Sequence, residues 1–245
     1  MNRAMFRSVE TALGFLTVFK VRNLPLGDMA EVGKSAWVFP LVGALLGLIL
    51  TGTYYALSTV LPSFLTAILT VGLWIFLTGG LHLDGWTDCW DALATSVSPE
   101  RRYEILKDPR LGTFGAVALM ILLAVKTSAL ACENFPPSMI FLAPIVSRGV
   151  MVTVSYRGRA SIDGMAAAFI SALSSRSVLV AGILGFTPAL LWGMSGVAAV
   201  GFAYLGSLWF KRLVESRLST FNGDAIGAIC EFSEAIILLV ACIKW

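Results

Sequence analysis

The sequence predicts an all-α, polytopic helical membrane protein. A single domain, 1–245, should hold about seven transmembrane helices plus an N-terminal interfacial helix. Three observations lead there. Composition is the first: 57% of the residues are hydrophobic and only 13% are charged, about half the usual charged share. Mean hydropathy is +0.82. A soluble fold of this length has too little interior to hide so much apolar surface. A disordered tail, a collagen and a coiled coil are excluded on the same ground. The second is run length. Apolar stretches of roughly 20 residues suit helices that cross a bilayer, whereas barrel strands would be about 10 residues with alternating polarity. The third is that basic residues gather at alternate connections between those stretches.

Residues 3–19 mix Arg3, Arg7 and Glu10 with apolar side chains and read as an interfacial amphipathic helix. The apolar part at 11–19 has no A-x-A-like site after it and runs into Lys20 and Arg22, so no cleaved leader is expected. Breaks at charge, Pro and Gly then delimit spans at 36–60, 62–82, 111–133, 136–155, 178–194, 196–210 and 226–243. The fifth and sixth are short and share the turn Gly193-Met194-Ser195-Gly196, which suits a helical hairpin. Arg3, Arg7, Lys20, Arg22 and Lys34 precede the first span. Arg101, Arg102, Lys107 and Arg110 follow the second. Arg157, Arg159 and Arg176 follow the fourth, and Lys211, Arg212 and Arg217 follow the sixth. The connections near 61, 134–135 and 194–195 hold no basic residue. The positive-inside rule therefore predicts a cytoplasmic N-terminus and cytoplasmic long loops. Only Lys126 and Arg148 fall inside spans. No internal repeat is visible, which disfavours an inverted-repeat transporter.

Net charge is only +3, so no nucleic-acid partner is expected. The four cysteines show no C-x-x-C spacing, against a disulfide framework or a zinc site. The residues are compatible with an oligomer.

Acidic residues concentrate in three stretches. In 80-GLHLDGWTDCWDAL-93, Asp84, Asp88 and Asp91 are spaced i, i+4, i+7, which stacks them within about 60° on one helix face. Carboxylates so placed repel one another unless a cation joins them. Magnesium, which takes carboxylate oxygens, waters and substrate phosphates, is the simplest candidate. The alternative is a solvated helix end. His82, the only histidine, is either a general base or a packing residue. The second stretch is 104-EILKDPRLGTFG-115. Glu104 and Asp108 share a helix face and are candidate metal ligands. Lys107 and Arg110 are candidate phosphate binders. Gly112-Thr113-Phe114-Gly115 should open a helix whose free N–H groups form an anion site, with Thr113 in it. In 222-NGDAIGAICEFSE-234, Asp224 and Glu231 face the same way as further metal candidates, with Glu234 near the edge of that face. Acids inside an apolar run are expensive and usually functional. Arg148 needs a carboxylate or phosphate partner for the same reason. Several acids for a metal and several cations for phosphates together indicate phosphoryl transfer at the cytoplasmic membrane surface. There is no G-x-x-x-x-G-K-[ST], which excludes a P-loop.

The strings GGLHLDGWTDCWDAL, EILKDPRLGTFG, FPLVGALLG at 39–47, SRG at 147–149 and NGDAIGAICEFSE resemble the cobalamin synthase family, the adenosylcobinamide-GDP ribazoletransferases. Order and spacing match over nearly the whole chain. The resemblance implies a Mg²⁺-dependent enzyme of the bacterial or archaeal cytoplasmic membrane. It would join adenosylcobinamide-GDP to α-ribazole or α-ribazole 5′-phosphate and release GMP. It also implies site roles for His82, Asp84, Asp88, Asp91, Glu104, Lys107, Asp108, Arg110, Thr113, Asp224 and Glu231. Asn222, Ala92, Pro109 and the pair Ser219-Thr220 stand where the family usually has Thr, Gly, Ser and Gly-Gly. Two other enzyme readings use similar parts, an aromatic prenyltransferase and a CDP-alcohol phosphotransferase-like enzyme. A cation transporter would place its acids near the bilayer midplane, whereas most of these sit at span ends.

Overall fold

The computed structural model describes residues 3–19, 28–159 and 164–243. Lys20, Arg22, Lys244 and residues 160–163 lie outside the described residues. Every regular element among the described residues is helical.

The first two helices are α1 (Arg3–Leu16) and the short α2 (Met29–Lys34). α1 buries only Thr11, Ala12 and Leu16 and leaves its basic face exposed, as an interfacial helix should. Asp28 caps α2, its carboxylate accepting from the backbone N–H groups of Ala30 and Glu31. After a 3₁₀ turn at Ala36–Val38 come α3 (Phe39–Ser58) and α4 (Ser63–Thr78). Gly79 and Gly80 then both adopt left-handed conformations (φ 64° and 69°), which side-chain-bearing residues resist. The chain bends by 94° there. α5 (Leu81–Ala94) leaves at that angle, so His82, expected at the end of the second span, belongs to a separate helix.

α6 (Pro99–Leu106) is a short surface helix, and α7 (Thr113–Ala131) and α8 (Ser138–Ser155) are long and apolar. α8 is the centre of the bundle, with 83% of its apolar window buried. Gly43 and Gly47 of α3 lie against the backbone of Phe141 and Pro144 in α8, leaving no room for a side chain. Small residues at that spacing let helices approach where lipid supplies no hydrophobic drive.

α9 (Met165–Ala172) is followed by α10 (Ser175–Phe186), a 3₁₀ segment (Thr187–Trp192) and α11 (Gly193–Leu218). The rings of Phe186 and Tyr204 are 5.9 Å apart. In a straight helix 18 residues span about 27 Å, so the chain folds back at Gly193 into the expected hairpin. α11 continues through residue 218, so Lys211, Arg212 and Arg217 lie on its last turns and not in a loop. α12 (Gly223–Ala241) closes the bundle.

Among the described residues, four helical runs can cross a membrane by length and composition, or five if the bent pair α4–α5 is one span. The expected seven windows all coincide with helices. They exceed that number because the run 175–218 folds back on itself and because α12 carries Asp224, Glu231 and Glu234. Large apolar side chains such as Ile68, Phe76, Met120, Leu191, Phe202 and Leu205 are exposed on the outside of the bundle. A surface of that kind belongs against lipid.

Candidate active site

Two close backbone approaches build the site. Gly85 of α5 lies against the backbone of Asp224, where a Cβ would meet the Asp224 carbonyl at 2.6 Å. α5 is thereby pressed onto the first turn of α12, and Asp224 comes within electrostatic range of Asp84 and Asp88. Asn222 shapes that turn. Its Oδ1 accepts from the Ala225 N–H at 3.0 Å, and its Nδ2 donates to Asp224 at 2.8 Å.

The second approach is between α5 and the start of α7. The Gly112 N–H donates to Asp91 at 2.8 Å and the Gly115 N–H donates to it at 2.7 Å, one to each carboxylate oxygen. A Cβ on either glycine would strike that carboxylate. The anion site expected at Gly112–Gly115 is therefore filled from within the protein. Asp91, expected as a metal ligand, is buried and holds α7 in place. Thr113, expected to bind phosphate, is exposed on the first turn of α7.

Two cavities meet at Asp84. One, of about 180 Å³, is bordered by His82, Asp84 and Asp224. The other, of about 480 Å³, is bordered by Asp84, Asp88, Pro109 and Arg110. Among the described residues, neither Asp84, Asp88 nor Asp224 has an ion-pair partner. Three neighbouring carboxylates without a cation are a hard-oxygen donor set that suits a divalent ion. They do not form a ready cage, since among the described residues no three acids, histidines or cysteines are positioned together as metal ligands. Magnesium does not require one, because it keeps waters and completes its shell with phosphate oxygens.

The remaining predicted residues lie apart from these three. Arg110 forks onto Asp108, with Nε at 2.9 Å and Nη2 at 2.6 Å. The hydrogen-bonded guanidinium holds the Asp108 carboxyl down at about 2. Arg110 is exposed and borders the larger cavity. Glu104 pairs with Arg101 on the surface, and Lys107 rests on the Tyr103 ring 4.2 Å from its centroid. Neither borders the cavities.

Glu231 and Arg148 are drawn into a buried network behind His82. Lys126 of α7 donates to Glu231 at 2.5 Å and to Glu234 at 2.6 Å, and Arg148 of α8 pairs with Glu234. Ser147 links Arg148 to the same carboxylate. Two cations thus balance two carboxylates. Of the two partners expected for Arg148, the structure supplies the carboxylate and not a phosphate. Glu231, expected to hold metal, has its charge met by Lys126. Seven residues also put it about 10 Å along the helix from Asp224. Lys126 received no role from sequence, although a lysine inside an apolar span is itself a signal that an acid faces it. Arg102 was missed as well. It is buried and donates to the carbonyls of Thr95 and Arg217, tying α6 to the end of α11.

A family model of cobalamin-5-phosphate synthase matches residues 8–242. The chain belongs to that family. A Brevibacillus brevis relative is 36% identical over 239 residues, covering 96% of this chain and 97% of its own. One from Syntrophobacter fumaroxidans is 35% identical, covering 97% and 98%, and one from Alkaliphilus metalliredigens is 34% identical, covering 98% and 96%. All three are named adenosylcobinamide-GDP ribazoletransferase. No solved structure matches the chain. For a cobalamin-5-phosphate synthase the site divides the family's motifs in two. Asp84, Asp88 and Asp224 face the cavities, while Asp91, Gly112 and Gly115 hold the helices that present them.

Proposed function

We propose that the protein joins adenosylcobinamide-GDP to α-ribazole or α-ribazole 5′-phosphate and releases GMP, with Asp84, Asp88 and Asp224 holding Mg²⁺. The carrying observation is three uncompensated carboxylates at the junction of two cavities, one of them bordered by Arg110. A ribose hydroxyl oxygen forms a bond to the phosphorus nearer the corrinoid. The bond from that phosphorus to the bridging oxygen breaks, and GMP leaves with it. The hydroxyl proton passes to a carboxylate of the cluster, for which Asp84 is best placed because it borders both cavities. Arg110, on a surface loop, can turn its fork from Asp108 to the phosphate oxygens. Bound Mg²⁺ supplies positive charge against the pyrophosphate and the departing GMP. His82 is buried with both ring nitrogens lacking a protein partner. The relatives' names, the acid cluster and the apolar exterior support a membrane enzyme of this kind. The clustering of basic loops favours a site facing the cytoplasm.

The test is product analysis on protein in lipid nanodiscs. Wild type should release one GMP per cobalamin formed and lose activity with EDTA. Asp84→Ala and Asp88→Ala should each fall more than tenfold, a barrier increase above about 1.4 kcal/mol. Release of pyrophosphate in place of GMP would instead support the prenyltransferase reading. Activity unchanged by EDTA would remove the metal.

A further inference from the structure

The smaller cavity differs in character from the larger one. Its walls are Phe15, Met29, Met151, Met165 and Phe169, drawn from α1, α2, α8 and α9. Asp84 and Asp224 border it, and among the described residues no lysine or arginine does. The larger cavity has Arg110.

We propose that the smaller cavity binds the aromatic base of the acceptor nucleoside and turns its ribose towards Asp84 and Asp224. This assignment rests on the transfer reaction proposed above. Charge assigns the two substrates to the two cavities. Arg110 borders the larger cavity, and among the described residues no lysine or arginine borders the smaller, so the diphosphate, which a guanidinium fork can grip, goes to the larger. Wall chemistry agrees, since thioether and phenyl groups make favourable contacts with a flat aromatic ring. Size agrees too. At about 180 Å³ against about 480 Å³, it is the smaller of the two cavities, and the base is the smaller of the two groups to be seated. His82 is the independent sign of a ligand. It borders the cavity and is 3% exposed, and both its ring nitrogens lack a protein partner. A buried polar group in that state is costly unless something meets it, and a nitrogen-bearing base can. Seated there, the nucleoside has Asp84 between its ribose and the phosphates in the other cavity.

Ala166 borders the cavity, and a larger side chain there should fill it. In nanodiscs, Ala166→Phe should raise KM for α-ribazole tenfold or more and leave KM for adenosylcobinamide-GDP within twofold. Ala166→Val, which is less demanding on folding, should shift the same constant by a smaller factor. An azido-benzimidazole ribonucleoside should crosslink to peptides containing Met29, Met151 or Met165 and be displaced by α-ribazole but not by GMP. Crosslinking there by wild type that releases no GMP would uphold the cavity and overturn the reaction. A raised KM for the corrinoid substrate, displacement by GMP, or unchanged constants with no crosslink, as for a cavity filled by a lipid tail, would overturn the cavity assignment.

Discussion

Asp88 and Asp91 are three residues apart on one helix and have different environments. Asp88 borders the larger cavity without an ion-pair partner, while Asp91 accepts two backbone N–H groups. Removing Asp91 strands both donors near the start of α7, at about 1–3 kcal/mol for each buried group. Asp91→Ala should therefore lower the unfolding midpoint and speed amide exchange at Gly112 and Gly115. Asp88→Ala should leave both near wild type while reducing turnover. Equal stability of the two variants would contradict this division. Arg148 belongs to a third kind. It is fully buried against Glu234, and removing one partner of a buried pair costs about 3–5 kcal/mol. Arg148→Lys keeps the charge and should mainly change stability, with KM for adenosylcobinamide-GDP near wild type. A tenfold rise in that KM in folded protein would return Arg148 to the substrate.

Among the helices, the ends of α4 and α11 set where the site lies. Two left-handed glycines let α5 leave α4 at 94°. The end of α11 makes a similar left-handed turn at Ser219, with φ 58°. A serine there pays the Cβ–carbonyl clash, roughly 1–2 kcal/mol, offset in part by the lower freedom of the unfolded chain. Ser219→Gly should therefore raise stability by about 1 kcal/mol without changing turnover. A thermal unfolding midpoint at or below wild type would show that the turn is relaxed with serine in place.

The bundle has two unlike ends. At one, Arg102 reaches the Arg217 carbonyl, Phe221 donates to the Arg159 carbonyl, and Lys211 donates to the Val154 carbonyl. Segments that are far apart in sequence and rich in arginine and lysine are thus joined around the acid cluster. At the other, Tyr54 donates to the Leu130 carbonyl and Trp192 donates to Ser138, beside connections without a basic residue. Cys132 is exposed there. An impermeant maleimide added to intact cells should label Cys132. In a Cys132→Ser background it should label Ser98→Cys and Ser175→Cys only after permeabilisation. The reverse pattern would invert the orientation and move the site to the outer face.

The helical class, the windows of all seven apolar segments, the hairpin near Gly193 and the Asp84–Asp88 pair were readable along the chain. Each depends on hydropathy, helical periodicity or turn residues, all of which act over fewer than about 25 residues. The exchange of partners between helices was not readable. Glycines at 112 and 115 signalled an anion, and one is present, but it is Asp91 from α5 and not a substrate phosphate. Glu231 and Asp224 share a face of α12, yet one meets Lys126 and the other the acid cluster. Periodicity puts residues on a face without saying what lies opposite, and in a low-dielectric bundle the opposing charge decides whether an acid is structural or free for a metal.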